Sequence, residues 1–213
     1  FKQARIDFCC GGDRELSVVL REQNLGEEEF IRKLNESRKQ AENRMKQHTD
    51  WRLAPLADLI DYIVEKHHNY LREELPVLSE YVTRILRVHG AAHGELAKLH
   101  KLFHYMKAEF EQHVIAEEEI LFPKIKQYEE NPSAETLEYI QQLDEFKDDH
   151  REVGDYLKEM RVLTEDYKLP PDACPTYTTT FEKLEQLESD VFQHVHLENN
   201  ILFPRISEEE KGA

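Results

Sequence analysis

Apolar residues recur at helical spacing over four long segments between residues 55 and 208 of this 213-residue chain. The first segment begins near Pro55 and reaches about Leu75, before Pro76, after which helix can resume as far as about Val88. The other three segments cover roughly residues 95–128, 134–166 and 176–208. Because the connections between them are short, the pattern predicts an all-α, up-down-up-down four-helix bundle.

Residues 1–48 form a separate unit in this pattern. The stretch "CCGGDRELSVVLREQ" combines a Gly-Gly turn, a possible N-cap at Asp13 and a helical pattern. A second helical stretch, which begins "EEEF", carries acids at its start and bases towards its end, as the helix dipole favours. We therefore expect a small helical domain at 1–48, truncated upstream of Phe1, followed by the bundle at 49–213.

Composition supports helix and narrows the class of protein. The chain has few glycines and prolines, 7 and 8, while charged residues make up 34% of it. No run of about 18 apolar residues is present, which argues against a membrane span. The net charge of −16 argues against nucleic acid as a partner. The 3 cysteines are too few for a secreted disulfide framework, so we expect a cytoplasmic location.

One 13-residue pattern occurs twice. It reads "HVIAEEEILFPKI" at residues 113–125 and "HVHLENNILFPRI" at residues 194–206. In each copy a histidine precedes a glutamate by four positions, which places both side chains on one helix face. A single His-x-x-x-Glu is usually a solvated surface pair, but two copies in one matched frame indicate a shared role in the bundle core.

The repeat extends to two further histidines. His68 lies 45 residues before His113, and His150 lies 44 residues before His194, so helices one and two mirror helices three and four. Imidazole and carboxylate ligands suit iron, manganese or zinc, and metal cations offset the cost of burying carboxylates. We therefore predict a two-metal centre, with both glutamates able to bridge the ions. The predicted ligands are His68, His113, Glu117, His150, His194 and Glu198.

Other histidines are excluded by their angular position. At about 100° per residue, His100 and His104 point away from His113, and His196 points away from His194. His67 is harder to exclude, since it precedes His68 by only about 100°. His68 is preferred because it shares the apolar face of its helix and fits the repeat spacing.

Two acids are candidates for orienting a ligand or handling protons. Glu109 lies one turn before His113, and Asp149 adjoins His150. Glu118 is expected on the solvated face. Pro123 and Pro204 follow the ligand glutamates by six residues, so we expect each to kink its helix or loosen its last turn.

Taken in order, these motifs resemble those of the hemerythrin-like di-iron proteins, specifically the Repair of Iron Centers (RIC) family. The resemblance covers the whole chain and includes "IDFCCGG", "EKHHNYL", "HVIAEEEILFP", "DDHREVGDYL", "PPDAC" and "HVHLENNILFP". It implies two non-haem iron ions (Fe²⁺/Fe³⁺), held by the four histidines and two glutamates, with an oxo or hydroxo bridge. Oxygen-carrying hemerythrins use an additional histidine and an aspartate that this sequence lacks, which argues against simple oxygen storage.

The resemblance also implies a function. It is the repair of iron–sulfur clusters damaged by oxidative or nitrosative stress, through donation of labile iron to damaged cluster proteins. Two alternatives stay open: a di-iron nitric oxide reductase, and a module that senses oxygen or iron. NO or O₂ would be the small ligands, and a homodimer is one conceivable assembly.

The cysteines divide into two groups. Cys9 and Cys10 are either two buried small residues beside the turn or a thiol pair that transfers iron or electrons. The second reading requires thiolate character. Cys174, in a proline-rich loop, is expected to be incidental.

Overall fold

The computed structural model describes residues 4, 6, 14–44, 49–133 and 143–212, and every regular element among them is helical. Two short helices come first, α1 (Leu16–Glu22) and α2 (Glu27–Arg44). These helices and the residues next to them share a small apolar cluster: Ile6, Val19 and Leu20, with Ala4, Leu16, Leu25 and Phe30 packed against it. Cys9, Cys10 and the predicted cap Asp13 lie outside the described residues.

The four segments that the hydrophobic pattern predicts are all helical where the structure describes them. The first comprises α3 (Leu56–Ile63), a π-turn (Val64–His68) and α4 (Asn69–His89). The second comprises α5 (Glu95–Ala116), a π-turn (Glu117–Leu121) and α6 (Phe122–Glu130). The third is α7 (Leu143–Leu163). The fourth comprises α8 (Pro175–Leu197), a π-turn (Glu198–Leu202) and α9 (Phe203–Gly212).

These segments pack as a closed ring. α4 packs against α5 and α8, and α7 packs against α5 and α8. Each bundle segment therefore contacts the two that an up-down-up-down order places beside it, and the predicted all-α bundle is confirmed. In the part of the chain that the structure describes, no helix is long and apolar enough to cross a membrane.

Pro76 does not interrupt the first bundle segment. α4 runs through it, although a proline inside a helix removes one backbone hydrogen bond and crowds the preceding turn. Leu71, Leu75 and Leu78 are buried on both sides of Pro76. The packing of this apolar face outweighs the local cost, which is why the predicted boundary at Leu75 is not a helix end.

The π-turns begin or end at residues of the predicted metal site. In two of them the amide of Phe122 donates to the carbonyl of Glu117, and the amide of Phe203 donates to the carbonyl of Glu198. These bonds span five residues instead of four, so the helix is locally wider. Pro123 and Pro204 follow directly and tolerate this widening, since neither has an amide to donate. The expected loosening therefore lies just before the prolines, inside continuing helices.

The apolar core of the bundle has two separate parts. The larger includes residues of α4, α5, α7 and α8, such as Leu78, Phe103, Leu157 and Leu184. The smaller includes residues of α3, α6 and α9 together with Leu121 and Leu202 of the π-turns. The first, second and fourth bundle segments contribute to both parts. In these segments the buried residues His68, Glu117 and Glu198 lie in sequence between the residues of one part and those of the other.

A tight loop connects α7 to α8. Glu165, Asp166 and Tyr167 all have positive φ angles, of 49°, 62° and 57°. The hydroxyl of Thr164 donates to the carbonyl of Met160 and accepts from the amide of Tyr167, whose side chain is buried. This folded-back loop brings the following residues, 168–174, to the end of α4.

Candidate metal centre

The six predicted ligands meet in one buried layer of the bundle. Each is at most 3% exposed. They come from all four bundle segments, with one histidine each from the first and third and a His-x-x-x-Glu pair each from the second and fourth. The His-x-x-x-Glu pairs place both side chains on the inner face because the residues are one helical turn apart.

The side chains form two groups of four that are suited to a cation. One group is His68, Glu117, His194 and Glu198, and the other is His113, Glu117, His150 and Glu198. Within each group, one donor atom per residue lies within 4.8 Å of all the others. Both groups contain both glutamates, so two adjacent ions would share them.

The two oxygens of each glutamate point into different groups. For Glu117, Oε1 lies 3.1 Å from Nε2 of His113, and Oε2 lies 3.4 Å from Nε2 of His68. For Glu198, Oε1 lies 2.9 Å from Nε2 of His194, and Oε2 lies 3.2 Å from Nε2 of His150. This is the arrangement that a carboxylate bridging two ions requires.

Three of the histidines have an oxygen partner on their outer nitrogen. Nδ1 of His68 lies 2.6 Å from Oε1 of Glu118. The two further pairs are His113 Nδ1 with Asp149 Oδ2, at 3.1 Å, and His150 Nδ1 with Asn199 Oδ1, at 2.9 Å. An oxygen acceptor at Nδ1 favours the tautomer with its proton there, which leaves the lone pair of Nε2 facing the centre.

Inner nitrogens from different segments then lie close together. Nε2 of His113 lies 2.8 Å from Nε2 of His150, and Nε2 of His68 lies 3.0 Å from Nε2 of His194. In addition, neither oxygen of Glu117 has an aligned hydrogen-bond donor among the described residues. Lone pairs and carboxylates that converge in a buried layer require protons or cations. The donor set therefore fits two ions that accept nitrogen and oxygen ligands, such as iron.

Electrostatics in the layer keep the carboxylates ionised. Burial opposes ionisation of Glu198, but His194 and His150 outweigh it and hold the pKa of this carboxyl well below its usual range. Burial likewise lowers the pKa of His113, but Glu117 and Asp149 outweigh it and raise that pKa to about 10. Protons thus take the place of cations when the layer contains none, and metal binding competes with them.

The two predicted accessory acids have different surroundings. The side chain of Asp149 is 55% exposed. Its carboxylate nevertheless accepts a hydrogen bond from Nδ1 of His113 on the neighbouring segment, and its partner is therefore not the adjacent His150. Glu109 is exposed and belongs to neither group of four. On α5 the buried face is formed by residues such as Met106, Phe110 and His113, and Glu109 lies at the edge of that face.

The histidines that angular position excludes lie outside the two groups. His100 and His104 bond Thr83 and Ser79 on the outer side of the bundle. His196 bonds the exposed Asn200. The separation of these histidines from the inward-facing ones therefore follows the helical wheel.

His67 differs from these because it is buried, at 2% exposure. Its Nδ1 lies 3.0 Å from Oδ1 of Asp190, and its ring stacks on His194 with the centroids 5.6 Å apart. It belongs to neither group of four. His67 is thus packed behind His194, one of the predicted ligands, a position that the sequence did not indicate.

Sequence reasoning also missed Glu118 and Asn199. Glu118 was expected on the solvated face, but it accepts from His68 and also forms an ion pair with Arg72. A signal for both was present in the repeat, because each residue directly follows the glutamate of its copy. The two copies therefore also match at the position after the glutamate, although the residue types there differ: each contacts the outer nitrogen of a histidine in the layer.

Comparison with known proteins agrees with this geometry. Residues 59–206 match the model of the hemerythrin HHE cation binding domain, and residues 1–38 match a domain of unknown function designated ScdA_N. The chain is 34% identical to the iron-sulfur cluster repair protein ScdA of Staphylococcus epidermidis, over 97% of this chain and 91% of that protein. It is 33% identical to the iron-sulfur cluster repair protein YtfE of Escherichia coli O8, over 96% and 88%. A probable iron-sulfur cluster repair protein of Haemophilus influenzae is 33% identical over 98% and 90%.

The HHE model covers the segments that supply all six converging side chains, and the ScdA and YtfE relatives extend along nearly the whole chain. The chain therefore belongs to the hemerythrin HHE family, within the group that includes ScdA and YtfE.

Proposed function

We propose that this protein repairs iron–sulfur clusters damaged by oxidative or nitrosative stress, by donating iron from the buried histidine–glutamate layer. The observation that carries the proposal is the pair of four-residue groups that share both glutamates. The relatives named for cluster repair, at 33–34% identity over most of the chain, support the same reading.

The donor set suits iron that must leave again. Each group offers two imidazoles and two carboxylate oxygens, which leaves coordination positions open on an ion that prefers more ligands. Bound iron would offer those open positions to small ligands, and it would supply redox chemistry by changing between Fe²⁺ and Fe³⁺. The residues of the chain would hold it, with His68, His113, His150 and His194 as terminal ligands and Glu117 and Glu198 as bridges.

A short path to solvent supports release. Glu118 is 24% exposed and Asp149 is 55% exposed, and each bonds the outer nitrogen of a ligand histidine. His68 and His113 are therefore only one side chain away from water. Movement of either acid would loosen a ligand without disturbing the apolar cores on the two sides of the layer.

The same layer also supports a second candidate, reduction of NO to N₂O. The observation that favours it is the sharing of Glu117 and Glu198, which would place two ions side by side with open positions on both. Two NO molecules with two electrons and two protons give N₂O and water, so this activity needs an external reductant. Reversible sensing of oxygen or iron is a third reading of the same geometry.

Several features of the wider protein complete the proposal. The division between a small helical domain at 1–48 and the bundle at 49–213 would let Cys9 and Cys10 approach a client while the bundle holds iron. The partners would be damaged iron–sulfur proteins in the cytoplasm, and pairing of two copies is one way to present both sites. The vicinal thiols would pass iron or electrons to the client.

One anaerobic experiment separates these functions. Iron-loaded protein is mixed with an enzyme whose [4Fe–4S] cluster has lost one iron, and the activity of that enzyme and the iron left on the donor are followed together. Donation predicts recovery of the enzyme with matching loss of iron. Steady formation of N₂O from NO and a reductant, without recovery of the enzyme, would favour the reductase. Reversible oxygen binding with neither activity would favour sensing.

The thiol pair is tested in the same assay. A variant with Cys9→Ser and Cys10→Ser should retain its iron but repair the client more slowly. Cys174→Ser is the matched control and should repair at the normal rate. Normal repair by the double variant would show that Cys9 and Cys10 have no part in transfer.

A further inference from the structure

A second cluster of metal-binding side chains lies at the far end of the bundle. It combines His89 at the end of α4, His93 in the turn before α5, and Asp172 in the loop before α8. One donor atom of each residue lies within 4.8 Å of those of the other two. His89 follows His68 by 21 residues on a nearly continuous helix, so about 30 Å separates this cluster from the paired centre.

The cluster is held in place by several contacts. Nε2 of His93 lies 3.1 Å and 3.0 Å from the two carboxylate oxygens of Asp172. The ring of Tyr177 lies against both histidines, with centroid distances of 5.3 Å to His89 and 5.8 Å to His93. These contacts fix the two imidazoles from the side of the bundle and leave the carboxylate on the solvent side.

An ion pair alone does not account for the arrangement. It explains why His93 and Asp172 meet. His89 is held beside them by Cys174 and the ring of Tyr177, so that three metal-binding side chains converge on one point. Two imidazoles and one carboxylate are the ligands that zinc and ferrous iron accept, and such three-ligand sites keep positions open for water. Asp172 is 59% exposed at its side chain, so an ion could enter directly from solvent.

Cys174 stands beside this cluster. Its Sγ lies 3.2 Å from Nε2 of His89 but does not converge on the point that the other three donors share. A hydrogen bond between the thiol and His89 orients that ring, which is the role an outer partner has in many metal sites. The loop cysteine is therefore a positioning residue for His89.

We propose that His89, His93 and Asp172 bind one divalent transition-metal ion, Zn²⁺ or Fe²⁺, at a site separate from the paired centre. The bound ion ties the loop of residues 164–174 to the turn between α4 and α5. The folded-back backbone at Glu165, Asp166 and Tyr167 presents this loop to the turn, so the ion joins two segments that lie 79 positions apart in the chain.

The test counts ions on the iron-loaded protein. Equilibrium dialysis against Zn²⁺ followed by elemental analysis should give one zinc per chain with the iron content unchanged. His93→Ala and Asp172→Asn should each weaken zinc binding by at least about tenfold while keeping the iron. Unchanged iron in a variant shows that the bundle is folded, so loss of zinc can be assigned to the cluster.

The matched control is His100→Ala. His100 and His104 form another pair of neighbouring surface histidines, with ring centroids 4.1 Å apart, and are the most obvious place for adventitious zinc. Zinc binding should survive this substitution. The proposal is overturned if no zinc binds beyond exchange with iron, if His100→Ala removes the zinc, or if His93→Ala retains it. Cys174→Ser should keep the ion with weaker affinity, and complete loss there with retention in His93→Ala would equally overturn it.

Discussion

Glu118 accepts a hydrogen bond of 2.6 Å from Nδ1 of His68, which lies on a different bundle segment. Arg72, one turn after His68, forms an ion pair with the same carboxylate. The chain thus holds the ring of His68 from outside, through a residue that neither converging group contains. The nitrogen that faces the centre is set by this outer contact.

Glu118→Ala should weaken iron binding by about 10- to 100-fold, the usual effect of removing the outer partner of a ligand histidine. Competition with a chelator measures the change. Glu119→Ala is the matched control, since Glu119 is the adjacent acid and is exposed. Equal iron retention by the two variants would show that the bond between Glu118 and His68 has no influence on the metal.

Glu198→Leu should abolish or halve the iron content, because this carboxylate places one oxygen in each group of four. Elemental analysis of the purified variant gives the number of ions per chain. Glu185→Leu, at an exposed position of the same helix, should keep the normal content. Two ions retained by the Glu198 variant would contradict the bridging role.

His68→Ala should reduce the iron content of the protein, whereas His67→Ala should leave it unchanged. His68 offers Nε2 to the centre, whereas His67 bonds Asp190 and only stacks on His194. The first variant should lose iron and the second should keep both ions, with some loss of stability because a buried ring is removed. The absorption spectrum and elemental analysis together check this, and the reverse result would assign the ligand role to His67.

The difference between these two neighbours shows what the sequence could predict and what it could not. Periodicity and the repeated motif were sufficient for the four bundle segments and for the convergence of the six side chains. The π-turn at Val64–His68 carries no clear mark in the sequence, because nothing distinguishes this stretch from ordinary helix. For the other two π-turns, Pro123 and Pro204 did indicate a disturbed turn. A wider turn rotates each residue by less than the ordinary helical angle, and so both His67 and His68 become buried.

The same limit applies to contacts between segments. Glu118 was expected to be solvated, and Asp149 was a candidate beside His150, yet their partners are His68 and His113 on neighbouring segments. Asp172 and Cys174 meet His93 and His89 only because the loop after α7 folds back. Such pairings depend on the packing of the bundle, which periodicity along one helix does not encode.

The iron-free protein should lose stability as the pH rises from about 7 to about 10. His113 has a pKa raised to about 10 in the folded protein, whereas an unfolded histidine titrates near 6.5. Its proton therefore stabilises the fold fully below about pH 6.5, and this contribution disappears as the pH rises through the folded value. Urea unfolding at several pH values measures the decline.

Two controls assign that decline to His113. His113→Gln, without iron, should show a smaller loss of stability over the same range. The iron-loaded protein should lack this contribution, because the ions occupy the place of the proton. An equal decline in all three samples would mean that other groups cause it.

A charged layer divides the apolar core of the bundle. Release of ions from this layer is therefore coupled to a loss of stability of the folded bundle. The two cores contact the layer from opposite ends, and ions that bind the folded state alone stabilise it by an amount set by their affinity. In the iron-free protein this stabilisation is absent, and protons held by residues such as His113 take the place of the ions. Loading with iron would therefore also stabilise the folded bundle.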